Sequence, residues 1–182
     1  LKVPSESLND LPVNLAGQFN NQYRFLLDNQ VDNGRLGYRV IQLFEDKTSG
    51  LTVLVNLGWV QGSIDRAFIP QLKKIEGQVS FRGNVRVLEA AILLQEQKLK
   101  KDLWPQKIQS INIEKISALL GQPLAPFIVY IDNQEPLGYI KNWVPIVMSP
   151  EKHRGYAFQW FSLALAWVLL MLYAAYRPTN TD

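Results

Sequence analysis

The sequence predicts a mainly β domain with minor helix, a curled antiparallel sheet or barrel, followed by a C-terminal transmembrane helix. About five to seven short segments alternate apolar and polar residues or are β-branched, and turn residues separate them, as in sandwiches and barrels. Near the end of the chain, no charged residue occurs from Tyr156 to Tyr176. As a helix this run would cover roughly 30 Å, the thickness of the apolar core of a bilayer.

Three strands are predicted in the first half of the chain, at residues 23–27, 37–44 and 51–60. In the first two, apolar and polar residues alternate, which indicates half-buried strands. In the second of these, Tyr38, Val40 and Gln42 are expected on one face. The third is β-branched, nearly uncharged and bounded by turns, which favours a buried strand. The triplet Asp32-Asn33-Gly34 predicts a turn between the first two.

Shorter elements are predicted in the second half. Apolar and polar residues alternate over residues 79–88 on both sides of Gly83, as in a strand with a bulge or bend at the glycine. Residues 89–101 are either a short helix or an excursion between strands. The remaining predicted elements are a strand at 108–111, a helix at 113–120 between an Asn112 N-cap and a Gly121 C-cap, and strands at 127–131 and 138–148.

The uncharged segment 156–176 is predicted to form one helix with the residues just before it, whose first turn lies at the membrane interface. Ser149-Pro150 matches an N-cap followed by proline at the first helical position, and aromatic residues crowd both ends of the run, as in interfacial belts. The predicted organisation is a β-rich domain over residues 1–148, the membrane helix with its interfacial turn over 149–177, and a short tail over 178–182.

Composition excludes several kinds of active site. The chain has no cysteine and one histidine, and no nucleophile elbow, HExxH spacing or glycine-rich phosphate loop accompanies it. The net charge of +3 is mild and the cations are scattered, which argues against nucleic-acid binding. Enzymatic function is therefore not expected. The carboxylates fall mostly in turn-like segments, where solvated roles are expected: Asp28, Asp32, Glu45, Asp46, Asp132 and Glu135.

The single histidine, His153, stands at the mouth of the apolar helix and allows two interpretations. Helical spacing places Tyr156, Ala157 and Trp160 on its face. A small residue between flat aromatics, beside an imidazole, could receive a planar ligand such as haem, with His153 as axial ligand of the iron. Alternatively, His153 is an interfacial polar residue and the aromatics form a membrane belt. The residue pattern leaves both interpretations open.

Two motifs resemble the surfeit locus protein 1 family of cytochrome c oxidase assembly factors. Residues 54–60 (LVNLGWV) are similar to the family's VNRGWV-like strand, and residues 153–161 (HRGYAFQWF) are similar to its histidine followed by YA-x-x-WF. The order of features between them is also similar. The chain departs from the family pattern at Leu57, where arginine is usual, and at Glu151-Lys152, where asparagines are common.

The resemblance implies a two-helix membrane protein whose first anchor is expected outside this chain. It implies a domain outside the cytoplasm, at the bacterial inner membrane on the periplasmic side or, alternatively, at the mitochondrial inner membrane. The charge bias disagrees, because Lys152 and Arg154 precede the helix and only Arg177 follows it, which would place the domain in the cytoplasm. We follow the resemblance on this point.

The resemblance also implies a function and its partners. The expected role is maturation of the haem-bearing subunit of the oxidase, with subunit 1 or its assembly intermediates and membrane lipid as partners, and no nucleic acid. Haem a is expected to bind transiently through His153, with Tyr156 and Trp160 shaping the pocket. Two other functions stay open: a membrane-tethered scaffold that never binds haem, and an enzyme with convergent carboxylates in the barrel.

Overall fold

The structure, a computed structural model, describes residues 8–63, 65, 68–88, 99–100, 103–143 and 150–176, with the backbone alone for residues 150–153. The chain divides into two units, Leu1–Trp143 and Val144–Asp182. Within the described residues, six strands and a short helix belong to the first unit and one long helix to the second. In chain order they are β1 Pro12–Asp32, β2 Arg35–Asp46, β3 Thr52–Gln61, β4 Val79–Arg86, β5 Gln106–Ile108, α1 Ile113–Leu120, β6 Ile128–Ile131 and α2 Pro150–Tyr176.

Five of the described strands close into a barrel. Hydrogen-bonded neighbours follow the ring β1-β2-β3-β6-β4 and return to β1. The ring closes because β1 is 21 residues long: its first part pairs with β4 and its remainder with β2, so that Gly17 is paired on both sides. Closure pairs the edge of β4 with residues 12–17 of β1, and the short β5 remains as an edge strand beside residues 25–27 of β1. The fold class predicted from the sequence, a mainly β, barrel-like domain followed by an apolar C-terminal helix, is confirmed.

The sheet is mixed rather than wholly antiparallel. β3 runs parallel to β6, and the short β5 runs parallel to residues 25–27 of β1. A parallel pair requires a long crossover connection, which β4, β5 and α1 supply between β3 and β6. Alternation within one strand carries no information about the direction of its partner, so the sequence did not predict these pairings.

Apolar cores lie on both faces of the barrel wall. The interior is filled by alternate residues of the ring strands, including Phe19, Phe44 and Phe81, whose ring centroids lie 4.7–5.6 Å apart. On the outer face, a second core packs against Ile116 of α1 and Ile108 of β5. This second layer explains why β3 is buried along most of its length, as its uniformly apolar composition predicted.

The predicted helix caps and the predicted turn are confirmed, because each depends on residues within a single turn of the chain. The side chain of Asn112 accepts a hydrogen bond from the Lys115 amide at 2.9 Å, and Gly121 is the left-handed C-cap of α1. The turn predicted at Asn33-Gly34 joins β1 to β2.

Several predicted bounds are wrong. The strand predicted at 23–27 is one part of β1, and the strand predicted at 108–111 is displaced to β5. The strand predicted at 138–148 is absent from its described part, where Ile140 makes only an isolated bridge with Trp59. Up to Asn56, β3 already has β2 and β6 as neighbours, so only its last residues can pair with this segment. Residues 144–149 and 89–98 lie outside the described residues.

Candidate functional site

The predicted site residues lie in the first three turns of α2. The helix begins at Pro150, which places His153 in its first turn as predicted. The side chains of Tyr156 and Trp160 are 55% and 70% exposed, and their spacing puts them on the face of His153 and Ala157. The helix thus places Tyr156 and Trp160 on one face, one turn apart. The binding roles of His153, Tyr156 and Trp160 stay predictions.

The helix that carries these residues is a candidate membrane span. The candidate span is Arg154–Tyr176, 23 residues long, and an 18-residue stretch within it has a mean hydropathy of 1.7 and no buried residue. A helix that is apolar on all sides and exposed matches the requirements of lipid rather than of water. Its polar Ser162 donates its hydroxyl hydrogen to the Phe158 carbonyl at 2.8 Å, which satisfies the hydroxyl within the helix.

The motif in residues 54–60 forms a bulge in β3. The register between β2 and β3 passes from Ile41–Asn56 to Arg39–Trp59, so two residues of β3 oppose one residue of β2 at this point. One of the two is Gly58, with φ of +106°. The bulge places Trp59 where its indole N–H donates to the Gln30 carbonyl at 3.0 Å.

The bulge also holds the segment that follows β6. The amide of Trp59 donates to the Ile140 carbonyl at 2.6 Å, the amide of Ile140 returns a bond to Trp59, and the amide of Tyr139 donates to the Leu57 carbonyl. A Cβ atom at Gly58 would lie 2.7 Å from the Ile140 carbonyl oxygen. Glycine is therefore required for the close approach of this segment. Leu57 itself is fully buried in the barrel interior.

A small pocket lies beside the bulge, with about 10 Å³ of space, room for a single water molecule. We call it the Arg39 pocket; its lining is Arg39, Asn56, Gly58, Tyr130, Ile131, Lys141, Asn142 and Trp143. The guanidinium carbon of Arg39 lies 5.8 Å from the centroid of the Tyr130 ring, and the Tyr130 ring lies 5.0 Å from that of Trp143. The Nε atom of Arg39 is buried and donates to no acceptor. The sequence did not point to this pocket, because its residues come from four separate segments; only Asn56 and Gly58 belong to a motif.

A wider, open cleft of about 650 Å³ lies along residues 138–140, lined in part by Trp59, Lys73 and Tyr139. The Tyr139 hydroxyl accepts a hydrogen bond from the Lys73 amide at 3.1 Å. Burial raises the pKa of Tyr139, although this bond and the charge of Arg24 oppose the shift. Tyr139 is therefore neutral near pH 7 and offers the cleft a phenol rather than a phenolate.

Asp46 is a buried carboxylate at the end of β2, so its predicted solvated role is wrong. One carboxylate oxygen accepts the Ala16 amide at 2.9 Å, and the other accepts the amide and the hydroxyl of Ser49. Burial alone would raise the pKa of Asp46, but the hydrogen bonds from Ser49, Ala16 and Thr48 outweigh it and lower that pKa. The turn needs these bonds, which is why the carboxylate is enclosed rather than solvated.

The barrel interior does not favour a carboxylate active site. Its lining is apolar, and among the residues with described side chains no group of three His, Asp or Glu could hold a metal. This geometry counts against the enzyme with convergent carboxylates in the barrel.

Comparison with known proteins adds a decisive finding. The sequence model of the SURF1 family matches residues 2–165, which include both the β3 motif and the mouth of α2. The chain belongs to the SURF1 family. The resemblance stated from the two motifs is thereby confirmed. Comparison with curated proteins gives no match. The SURF1 family is a cytochrome oxidase assembly family, whose members are assembly factors rather than catalysts.

Proposed function

We propose that this SURF1 protein is a membrane-anchored assembly factor that assists maturation of the haem-bearing subunit of cytochrome c oxidase. The family match over residues 2–165 carries the proposal, because it joins the barrel and the first half of α2 in one family unit. The length and apolar surface of α2 support anchoring in a membrane. Subunit 1 or an assembly intermediate is the partner, with lipid around α2.

We also propose that haem a is the transient ligand of the α2 mouth. Imidazole is a common axial ligand of haem iron, and the exposed rings of Tyr156 and Trp160 offer flat apolar surface three and seven residues after His153. Ala157 leaves space between them. Bound haem would supply the redox-active iron, and the chain's own residues would bind and orient it.

A single histidine suits a transient site. Because these residues contain one histidine, a second histidine ligand to the iron would come from outside them. Haem held through one protein imidazole is easier to release to a partner than haem held through two.

The test compares haem content among variants of the full chain purified from cells that make haem a. His153→Ala is expected to lose most of the bound haem a in the visible spectrum. Arg154→Ala, which removes a neighbouring charge and keeps the imidazole, should retain it. Unchanged haem in His153→Ala would refute the ligand role, and protein free of haem in every form would favour a scaffold that stabilises the subunit by contacts alone.

We place the barrel on the periplasmic side of a bacterial inner membrane, with the mitochondrial inner membrane as the alternative. The absence of cysteine makes Lys74→Cys, at an exposed position of the barrel unit, a unique thiol. A membrane-impermeant maleimide should label it in intact spheroplasts. Labelling only after lysis would put the barrel in the cytoplasm, as the charge bias around α2 predicts.

A further inference from the structure

The β1–β2 hairpin extends past the end of the barrel wall. The neighbouring strand β3 ends at Gln61, which pairs with Gly37, whereas the hairpin continues through residues 31–36. On the other edge of β1, the strand β5 reaches residues 25–27. Residues 31–36, which we call the hairpin tip, therefore project beyond the neighbouring strands.

Two apolar side chains face solvent on one side of the hairpin tip. Val31 and Leu36 lie opposite each other in the register of β1 and β2, which puts their side chains on the same face. They are 63% and 44% exposed. Ile140, which is 54% exposed, lies nearby, because it lines the open cleft together with Asp32 and Arg35 of the hairpin tip. Single exposed apolar residues are common on protein surfaces, but a group of them at a projecting tip indicates an interaction surface.

The charges around the hairpin tip suit a surface of lipid headgroups. Arg35 and Lys73 line the cleft beside the tip. The carboxylate of Asp32 at the same place accepts a hydrogen bond from the Asn142 amide at 2.9 Å. Long cationic side chains keep their charge at the headgroup phosphates while neighbouring apolar side chains enter the membrane interface. The tip therefore combines the two kinds of side chain that bind a lipid surface.

The chain beside the hairpin tip leads directly to α2. Asn142, which is bonded to Asp32 of the tip, is followed after one residue by residues 144–149 and then by the start of α2 at Pro150. An extended chain from residue 143 to residue 150 spans at most about 25 Å. A barrel unit anchored through α2 therefore meets the lipid surface at an effective concentration in the millimolar range. At that concentration a small apolar patch is sufficient for docking.

We propose that the hairpin tip docks on the lipid surface of the membrane that holds α2. Val31 and Leu36 enter the interface, and Arg35 lies at the headgroup phosphates. The proposal rests on the membrane anchoring of α2 stated under the proposed function. Lipid is favoured over a second protein as the occupant, because the short connection to α2 keeps lipid within reach at all times. Docking would hold the barrel in one orientation and present a fixed face of it to a partner embedded in the membrane.

The test places an environment-sensitive fluorophore on the hairpin tip of the full chain in lipid nanodiscs. Because the sequence contains no cysteine, Leu36→Cys provides a unique thiol for the fluorophore nitrobenzoxadiazole. The discs contain phosphatidylcholine and phosphatidylglycerol in equal parts. In a second set, part of the phosphatidylcholine carries a nitroxide on its acyl chain close to the headgroup. We expect a blue shift of the emission in the discs relative to the aqueous dye, and a loss of intensity with the nitroxide lipid.

The matched control is Leu51→Cys with the same fluorophore. Leu51 is 47% exposed and lies between β2 and β3, at the opposite end of β2 from the hairpin tip, so it should show neither the blue shift nor the quenching. Adding Val31→Glu to the labelled Leu36→Cys protein should remove both signals, because a carboxylate on this face opposes entry into the interface. Leu11→Glu, at a leucine that is 45% exposed, should leave both signals unchanged.

A label at Leu165→Cys, in the middle of α2, separates failure of docking from failure of anchoring. Quenching at Leu165 without quenching at Leu36 overturns the docking and leaves the anchoring intact, whereas quenching at neither position refutes both. A blue shift at Leu36 that the nitroxide lipid does not quench overturns the proposal in favour of burial against protein. Equal quenching at Leu36 and Leu51, or quenching that survives Val31→Glu, also overturns it. If Val31→Glu does not fold, the comparison of Leu36 with Leu51 decides the question.

Discussion

Replacing Gly58 with alanine is expected to lower the free energy of unfolding by about 2–4 kcal/mol. Its φ of +106° is a conformation that costs a residue with a side chain about 1–3 kcal/mol. In addition, the new Cβ would lie 2.7 Å from the Ile140 carbonyl oxygen. The segment would have to move, and the two hydrogen bonds between Trp59 and Ile140, worth about 1 kcal/mol each, would weaken. The lower entropy of the unfolded alanine chain offsets about 0.4–1 kcal/mol.

The assay is thermal unfolding of the full chain in detergent, followed by near-ultraviolet circular dichroism. For a chain of this size the expected loss lowers the midpoint by about 4–15 °C. Gly34→Ala is the matched control, because Gly34 also has positive φ, +76°, but no atom lies within 4 Å of its added Cβ. Gly34→Ala should lower the free energy of unfolding only by the cost of placing a side chain at positive φ, about 1–2 kcal/mol. Equal losses in the two variants would refute the conclusion that the approach of Ile140 makes glycine necessary at position 58.

Three further predictions concern the barrel unit. Asp46→Asn should lower the free energy of unfolding by about 1–3 kcal/mol near pH 7. The pKa of Asp46 is lower in the folded state than in the unfolded state. The stability that its charge contributes is therefore present above the unfolded pKa, about 4, and is lost as pH falls through the folded pKa. Unfolding curves at pH 7 and pH 3 should therefore show a smaller difference in stability between Asp46→Asn and the unmodified chain at pH 3. An equal difference at the two pH values would contradict the conclusion that the charge of Asp46 stabilises the fold. Asn112→Ala should cost about 0.5–2 kcal/mol through loss of the α1 N-cap, and an unchanged midpoint would show that the cap does not stabilise the unit. Phe81→Ala, in the barrel interior, should lower the free energy of unfolding by about 3–5 kcal/mol. Phe68→Ala, at a residue that is 67% exposed, should change it by less than about 0.5 kcal/mol. Similar losses in the two variants would contradict the placement of the core.

Elements whose ends depend on neighbouring residues were predicted well. Asn112 and Gly121 bound α1 because a cap is decided by hydrogen bonds within one turn. The Asn33-Gly34 turn and the start of α2 at Pro150 follow from local conformational preferences in the same way. The buried character of β3 was also visible, because its composition reflects burial on both faces.

Features that depend on pairing between distant segments were not predicted. The extent of β1 was missed because its first part is polar and becomes a strand by pairing with β4. The segment 138–143 has the composition of a strand but finds only the end of β3 unpaired. Asp46 looked like a solvated turn residue, and only the position of Ala16 on the neighbouring strand shows that its carboxylate is enclosed.

The sequence by itself determined that a β domain precedes an apolar helix, and that His153, Tyr156 and Trp160 share one helical face, because hydrophobic periodicity and helical spacing are local properties. Only the tertiary structure decided how β1 closes the barrel and which residues meet at the Arg39 pocket. Arg39 and Lys141 are far apart in the chain, and their meeting depends on strand register and on one bulge. Register is set by the packing of whole faces against each other, and no window of sequence contains that information.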